Sequence, residues 1–310
     1  IGEMHLDDRR IEDFQGVVDR HGGMGIGGGI DHQPVDYVFF LLDPVDQRAF
    51  VVGLAEIDLL PLHEQVDHVI QKSGLVEMFH ERVRRGELPA GEDITFVMVT
   101  GDGGMDIGMG AAVGAALRNH GMIIVEYDNQ GYMNTGSQLS YSTPLAHLTS
   151  TSHVGPGELG KAFHHKDTPQ IMAATNIPFV FTGVEGFPDD LMAKAAKAQW
   201  YAKHQGMAYG KILISCPLNW KTEDRVGVDI VQAAVDSCFF PLYEIERGIT
   251  RITYNPEPIG RRVPVAEWLK LMGKTKHLLK PANEATLASI EAEVDRRWQR
   301  LKVKDEHPLL

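Results

Sequence analysis

ITFVMVTGDGGMDIG, residues 94–108, leads through a stretch of small residues into MIIVEYDNQGYMNTG, residues 122–136. Ile94 to Thr100 is a short apolar, β-branched run stopped by glycine, which reads as a buried strand. Met122 to Tyr127 reads the same way. Between them, Ile107 to His120 is rich in Gly and Ala and reads as a closely packed helix. Strand, helix and strand at this spacing form a βαβ unit, whose two strands are parallel and end on the same edge of the sheet. Gly101-Asp102-Gly103-Gly104 closes the first strand, and Asp128-Asn129-Gln130-Gly131-Tyr132 closes the second.

The alternation continues outward. Asp167-Thr168-Pro169 reads as a helix N-cap with Pro in the first turn, opening a helix to about Thr175. Ile177 to Thr182 and Lys211 to Ser215 read as strands, Asp189 to His204 and Glu223 to Val235 as helices. Upstream, Leu75 to Arg85 has helical spacing and exits at Gly86. The fold class is therefore α/β, a parallel sheet flanked by helices. After Phe239 the text breaks into shorter segments, with Ala266 to Met272 and Glu284 to Leu301 as peripheral helices.

Composition narrows the function without naming it. The chain has 310 residues, 43% of them hydrophobic, ample for a core. A formal net charge of -12 argues against nucleic acid and anionic lipid, which are bound by clustered Lys and Arg. Two cysteines, Cys216 and Cys238, are too few for a disulfide framework and suit a reducing, cytoplasmic compartment. The apolar run Val38 to Leu42 is far too short to span a bilayer, and no basic-then-apolar leader opens the sequence.

Chemistry concentrates at the two strand ends. In open α/β sheets, ligands bind outside the carboxyl ends of the strands. Asp102 and, 27 positions later, Asn129 bring a carboxylate and an amide oxygen to that edge. Such hard oxygen ligands suit Mg²⁺ that also holds phosphate oxygens. Gly101, Gly103 and Gly104 let backbone approach phosphates, and a helix N-terminus near Asp106 favours their charge. Taken singly, Asn129 and Asn134 also read as turn residues, because Asn tolerates left-handed backbone.

Gly101-Asp102-Gly103 with the later Asn129 resembles the thiamine diphosphate signature. GDGGMDIG, YDNQGYMNTGSQLSYSTP, KDTPQIMAATNIPFV, SCPLNW and FFPLYEIERG follow in order over roughly residues 75–280. Together they resemble the β subunit of the pyruvate:ferredoxin (2-oxoacid:acceptor) oxidoreductase family. The resemblance implies a thiamine-diphosphate-binding domain at 74–235, a C-terminal extension at 236–310, and a divergent N-terminal segment of unclear role at 1–73. It implies Mg²⁺ held by Asp102, by the Asn129 side chain and by the Gly131 carbonyl. Tyr132 falls in the same cofactor-binding block, while Asn134 and Thr135 match positions close to the thiazolium and substrate. The implied reaction is oxidative decarboxylation of a 2-oxoacid, with electrons passed to ferredoxin or a similar acceptor and coenzyme A usually collecting the acyl group. The STP and CPLNW blocks look most like pyruvate-type subunits. Oxalate and branched-chain or aromatic 2-oxoacids are the other candidates. The activating Glu of this family lies on a partner chain, so the resemblance implies a hetero-oligomer.

The chain departs from the family in its thiols. The family's [4Fe-4S] cluster takes four Cys, and only Cys216 matches a ligand position, as a possible iron–sulfur ligand. Either the cluster is missing, or other chains supply ligands, or residues 1–72 do not represent the family's N-terminal segment. By itself Cys216 also reads as a small buried hydrophobe. The missing thiols keep two alternatives in view, a non-redox thiamine-dependent decarboxylase subunit and a non-catalytic structural subunit. Weaker motifs carry less. Gly23 to Gly28 fits GxGxxG without a preceding strand, and His63-Glu64 with His68 is one place off HExxH. His164-His165-Lys166 reads as a solvated basic loop. Arg261-Arg262 and Lys274 to Lys280 read as surface charge or subunit contact.

Overall fold

The computed structural model describes residues 52–54, 81–86 and 95–307. Within them a seven-stranded sheet has the order β1-β2-β3-β5-β4-β6-β7. The strands are β1 (Val52–Leu54), β2 (Phe96–Gly101), β3 (Met122–Asp128), β4 (Phe179–Val184), β5 (Ala208–Leu213), β6 (Leu242–Glu246) and β7 (Ile249–Tyr254). The first five are parallel; β6 and β7 join antiparallel, beside β4.

Alternation along each strand sends successive side chains to opposite faces. Val97 and Val99 face one cluster with Phe179, Phe181 and Tyr201. Ala198 and Ala202 in that cluster belong to helix α3 (Pro188–His204), which covers this face. Met98, Ile124, Tyr209 and Leu213 face the other, larger cluster, packed under α1 (Asp102–Leu117). Helix α1 buries Gly104, Gly108, Ala112, Ala115 and Ala116, a small-residue stripe that lets it lie close to the sheet. Glu126 and Asp128 share the Ile124 face, so the same strand carries apolar residues at its start and buried charge at its end.

Helix α1 starts at Asp102, five residues before the predicted start at Ile107. Gly101 is the extended residue at its N-cap, with φ −76° and ψ 168°, so the strand passes into the helix without an intervening loop. Helix α2 (Thr168–Ala173) follows Asp167 as predicted, but the Asp167 side chain makes no capping hydrogen bond. The predicted helix over 223–235 divides into a 3₁₀ turn at Asp224–Val226 and α5 (Gly227–Asp236). The short α4 (Pro217–Trp220) lies between β5 and that turn. At the N-terminal side residues 81–84 are helical and Gly86 exits at φ 73°. Residues 75–80, the GxGxxG stretch and His63, Glu64 and His68 lie outside the described residues.

The C-terminal helices are not peripheral. From α6 (Val265–Leu269) Trp268, and from α7 (Glu284–Glu306) Trp298, are fully buried in the same cluster as Met98 and Ile124. Arg262 is not free surface charge: it pairs with Glu257 and Asp295. Among the described residues no helix is long and apolar enough to cross a membrane.

Candidate cofactor site at the strand ends

β2 and β3 pair in register, Gly101 opposite Tyr127, so Asp102 and the 128–132 segment leave the sheet at one edge. Asp102 is buried, and its Oδ2 accepts a hydrogen bond from Ser140 Oγ. Burial pushes its carboxyl well above the ordinary 3.8, and nearby Asp128 adds to that, against the opposing pull of Ser140 and Lys166.

Asn129 presents both its oxygens differently. Its backbone carbonyl accepts from Asn219 Nδ2 at 2.8 Å and Trp220 Nε1 at 3.0 Å. Its Oδ1 is buried and, among the described residues, accepts no hydrogen bond. An amide oxygen sealed from water without a donor is costly, and a cation satisfies it. The left-handed residue of this segment is Gln130, at φ 67°, rather than Asn129 or Asn134. Gln130 N–H donates to Asp128 Oδ1 at 2.9 Å, and its carbonyl accepts from Thr143 Oγ1 at 2.8 Å. These bonds fix the backbone between Asn129 and the buried Gly131.

Four lysines drawn from distant segments hold the surroundings. Lys166 donates to the Asp102 carbonyl at 2.9 Å and pairs with Asp106 at 2.6 Å and Glu126 at 3.2 Å. Lys211 pairs with Asp128 at 2.9 Å and Glu126 at 3.2 Å, and donates to Ser142 Oγ at 3.0 Å. Lys161 donates to the carbonyls of Ser140, Tyr141 and Thr143 at 3.1, 3.0 and 2.5 Å, caging the loop whose Ser140 reaches Asp102. Lys274 donates to Gln130 Oε1 at 2.9 Å. Burial lowers Lys161 to about 8 and Lys274 to about 7. Two expectations are corrected here. Lys166 is not in a solvated loop, and Lys274 is not surface charge, because buried carboxylates and carbonyls consume their donors.

The remaining predicted residues divide by exposure. Gly103 and Gly104 are buried in the first turn of α1, with half-buried Gly101 before them. Asp106 has both carboxylate oxygens engaged, Oδ2 by Tyr141 N–H at 2.7 Å and Oδ1 by Lys166. Burial raises its carboxyl and Lys166 opposes the rise. Tyr132 donates from its hydroxyl to Gly103 O at 3.0 Å, tying the two strand-end segments together. Asn134 and Thr135 are exposed in the turn closed by the Tyr132–Gln138 bridge. Cys216 is a free, half-buried thiol packed on the core that contains Trp220, and Cys238 is free and buried, its thiol pushed up to about 12 by burial.

A side chain at position 103 tests the tie to Tyr132. A Cβ there would fall 2.4 Å from the tyrosine ring. Gly103→Ala gains about 1 kcal/mol of helix propensity and loses about 1–3 kcal/mol to overpacking. Urea unfolding is therefore expected to report a net loss of about 1 kcal/mol.

Lys166 and Lys211 pair with Asp106, Glu126 and Asp128, while the Asp102 carboxylate accepts from the Ser140 hydroxyl. A buried carboxylate beside an orphaned amide oxygen fits a divalent cation with hard oxygen ligands. The thiols do not fit a four-thiolate cluster, since the whole sequence holds two.

Residues 86–210 match the family "Thiamine pyrophosphate enzyme, C-terminal TPP binding domain". Pyruvate synthase subunit PorB of Thermotoga maritima is 34% identical over 248 residues, 79% of this chain and 75% of that protein. PorB of Methanocaldococcus jannaschii is 40% identical over 196 residues, 63% of each chain. Ketoisovalerate oxidoreductase subunit VorB of Pyrococcus horikoshii is 36% identical over 214 residues, 68% of this chain and 66% of that protein. A match to the thiamine pyrophosphate-binding domain family and a PorB-like sequence across most of its length make this chain a member of the β-subunit family of 2-oxoacid:acceptor oxidoreductases.

Proposed function

We propose that this chain is the thiamine-diphosphate-holding subunit of a hetero-oligomeric enzyme for oxidative decarboxylation of a 2-oxoacid. Mg²⁺ would be held by Asp102, the Asn129 side chain and the Gly131 carbonyl. The observation that carries the reading is the buried Oδ1 of Asn129, without a donor among the described residues, at the same sheet edge as the buried Asp102. Thiamine diphosphate, when bound, supplies the electron sink that lets the carboxylate leave as CO₂, while the protein binds, orients and excludes water.

The residues of this chain have definite tasks. Lys161 and Lys166 fix Ser140 and the first turn of α1, so Asp102 needs no reorganisation when a cation arrives. Asn219 and Trp220 hold the Asn129 backbone. The exposed Asn134 and Thr135 stand where a partner subunit and a substrate can reach them. Pyruvate is the first substrate to test. Relatives named for pyruvate and for ketoisovalerate keep a branched-chain 2-oxoacid beside it. Ferredoxin or a similar carrier is the acceptor, with coenzyme A taking the acyl group.

The test is to assay the purified complex and this chain alone with pyruvate, 2-oxoisovalerate and phenylglyoxylate. Reduction of a ferredoxin or dye acceptor that depends on thiamine diphosphate and Mg²⁺, in the complex only, is the expected outcome. Turnover by the single chain, or none by a cofactor-loaded complex, would refute the reading. The two-thiol sequence favours one second reading, non-redox decarboxylation. CO₂ release without acceptor reduction would establish it. Cys216→Ser is expected to leave turnover within about twofold, because its cost is that of one half-buried hydroxyl. A loss of acceptor reduction with decarboxylation retained would instead assign Cys216 to electron transfer.

A further inference from the structure

We infer that Lys274 and Gln130 form a positioning pair that sets the cation-binding segment of the cofactor site from the far end of the chain. The inference rests on the reading that Asn129 and Gly131 hold the cation. Gln130 lies between them, in left-handed backbone at φ 67°. Non-glycine residues hold that conformation only where surroundings over-determine it. The Gln130 backbone is bonded at both its N–H and its carbonyl, and its side-chain Oε1 is taken by Lys274 Nζ at 2.9 Å.

Lys274 is fully buried and acts on this segment twice. Besides gripping Gln130, its ammonium lies 5.5 Å from the centre of the Trp220 ring, and Trp220 Nε1 donates to the Asn129 carbonyl at 3.0 Å. Contacts on the Asn129 carbonyl, through Trp220, and on the Gln130 side chain therefore converge on one lysine. The bond does not depend on protonation, since an amine and an ammonium both donate to an amide oxygen.

The chain is built to deliver this lysine. Gly273 lies so close to Lys221 that a Cβ at 273 would sit 2.7 Å from the Lys221 carbonyl oxygen. Lys221 itself is left-handed, at φ 54°, directly after Trp220. On the other side, Thr275 Oγ1 donates to the Met272 carbonyl at 2.9 Å, and His277 Nε2 lies 2.8 Å from the Ala146 carbonyl. Residues 273–277 are thus moored to the α4 exit and to the 140–147 loop, with Lys274 directed inward between the moorings. Lys274 touches no reacting atom; it acts through Gln130.

The experiment uses the native complex stripped of cofactor by chelation and dialysis, then titrated with thiamine diphosphate in saturating Mg²⁺ by calorimetry. Four forms are compared: wild type, Lys274→Met, Gln130→Leu and the double variant. Each single change is expected to weaken cofactor binding about 10- to 100-fold, the range seen when groups behind metal ligands are removed. The double variant should bind no more weakly than the weaker single variant, because either change already breaks the pair. The KM for the 2-oxoacid at saturating cofactor should stay within about twofold of wild type, as a pair that touches no substrate requires. Unchanged cofactor affinity in Lys274→Met, or losses that multiply in the double variant, would overturn the inference. Should Lys274→Met fail to assemble, Gln130→Leu decides alone: unchanged affinity rejects the pair. A wild-type complex that binds no thiamine diphosphate would reject the underlying cation reading instead.

Discussion

Replacing Asp102 is expected to abolish cofactor retention. Asp102→Ala removes a buried carboxylate opposite a bound cation, a loss of about 3–5 kcal/mol when one partner of a buried pair is taken away. That corresponds to a factor of about 10² to about 4 × 10³ in cofactor affinity. Ala also strands Ser140 Oγ, which donates to the Asp102 carboxylate, so some loss would come from the 140–143 loop. Asp102→Asn separates the two effects. Its amide oxygen still accepts from Ser140, and the apo chain should unfold at the wild-type urea concentration. Cofactor affinity should nevertheless fall as it does in Asp102→Ala, because a neutral amide does not replace a carboxylate beside a divalent ion. Equilibrium titration of both variants with thiamine diphosphate and Mg²⁺ checks this. Normal affinity in Asp102→Asn would remove Asp102 from the site.

The second large effect concerns stability. Lys211 neutralises Glu126 and Asp128 at once, with its side chain 5% exposed. Lys211→Met leaves two buried carboxylates with one fewer counter-charge and is expected to cost about 3–5 kcal/mol in urea unfolding. Adding Glu126→Gln should recover part of that cost, since a buried pair can be replaced by neutral groups with little loss. Tyr209 OH, which donates to Glu126, gives the new amide oxygen a donor. Burial alone would raise the Glu126 carboxyl; Lys211 and Lys166 outweigh it and hold the group below its ordinary 4.5. A carboxylate lowered by folding stabilises the protein above its unfolded value and loses that contribution as pH falls through the folded one. The Glu126 contribution to wild-type stability should therefore be lost only as pH falls below about 4.5. In Glu126→Gln that part of the acid dependence should be absent.

The βαβ unit and its two strand ends were legible because local pattern and tertiary role coincide there. Apolar runs with β-branched residues had no competing reading, and glycine marked where each strand stops. The start of α1 was misplaced because Gly-Asp-Gly reads as loop chemistry, whereas the extended Gly101 makes the turn alone. The hairpin β6–β7 escaped notice although Leu242–Glu246 and Ile249–Tyr254 flank an Arg-Gly pair, both at positive φ, a two-residue turn signal. The lysines were the least legible. Lys211 opens KILIS and reads as the polar edge of a strand; what buries it is Glu126, 85 residues away on the neighbouring strand. Lys166 follows two histidines and reads as solvated, while its partners Asp102 and Asp106 lie 64 and 60 residues upstream. Long-range charge pairing leaves no period in the sequence, so burial of a lysine becomes visible only once the strands are side by side.

The separations along the chain also order events during synthesis. The Asn129 carbonyl waits for Asn219 and Trp220, 90 and 91 residues later, and Gln130 waits for Lys274, 144 residues later. Contacts this distant are among the last to form, because the entropy of closing the intervening loop must be met first. A nascent chain that has released β2, α1 and β3 from the ribosome already carries Asp102 and Asn129, yet Asn129 and Gln130 still lack the partners that hold them. A ribosome-bound chain halted before Gly273 would present the strand ends without the lysine that donates to Gln130. The Gln130 side chain thus finds its donor only in chains that have been synthesised past Lys274 and folded back onto the end of β3.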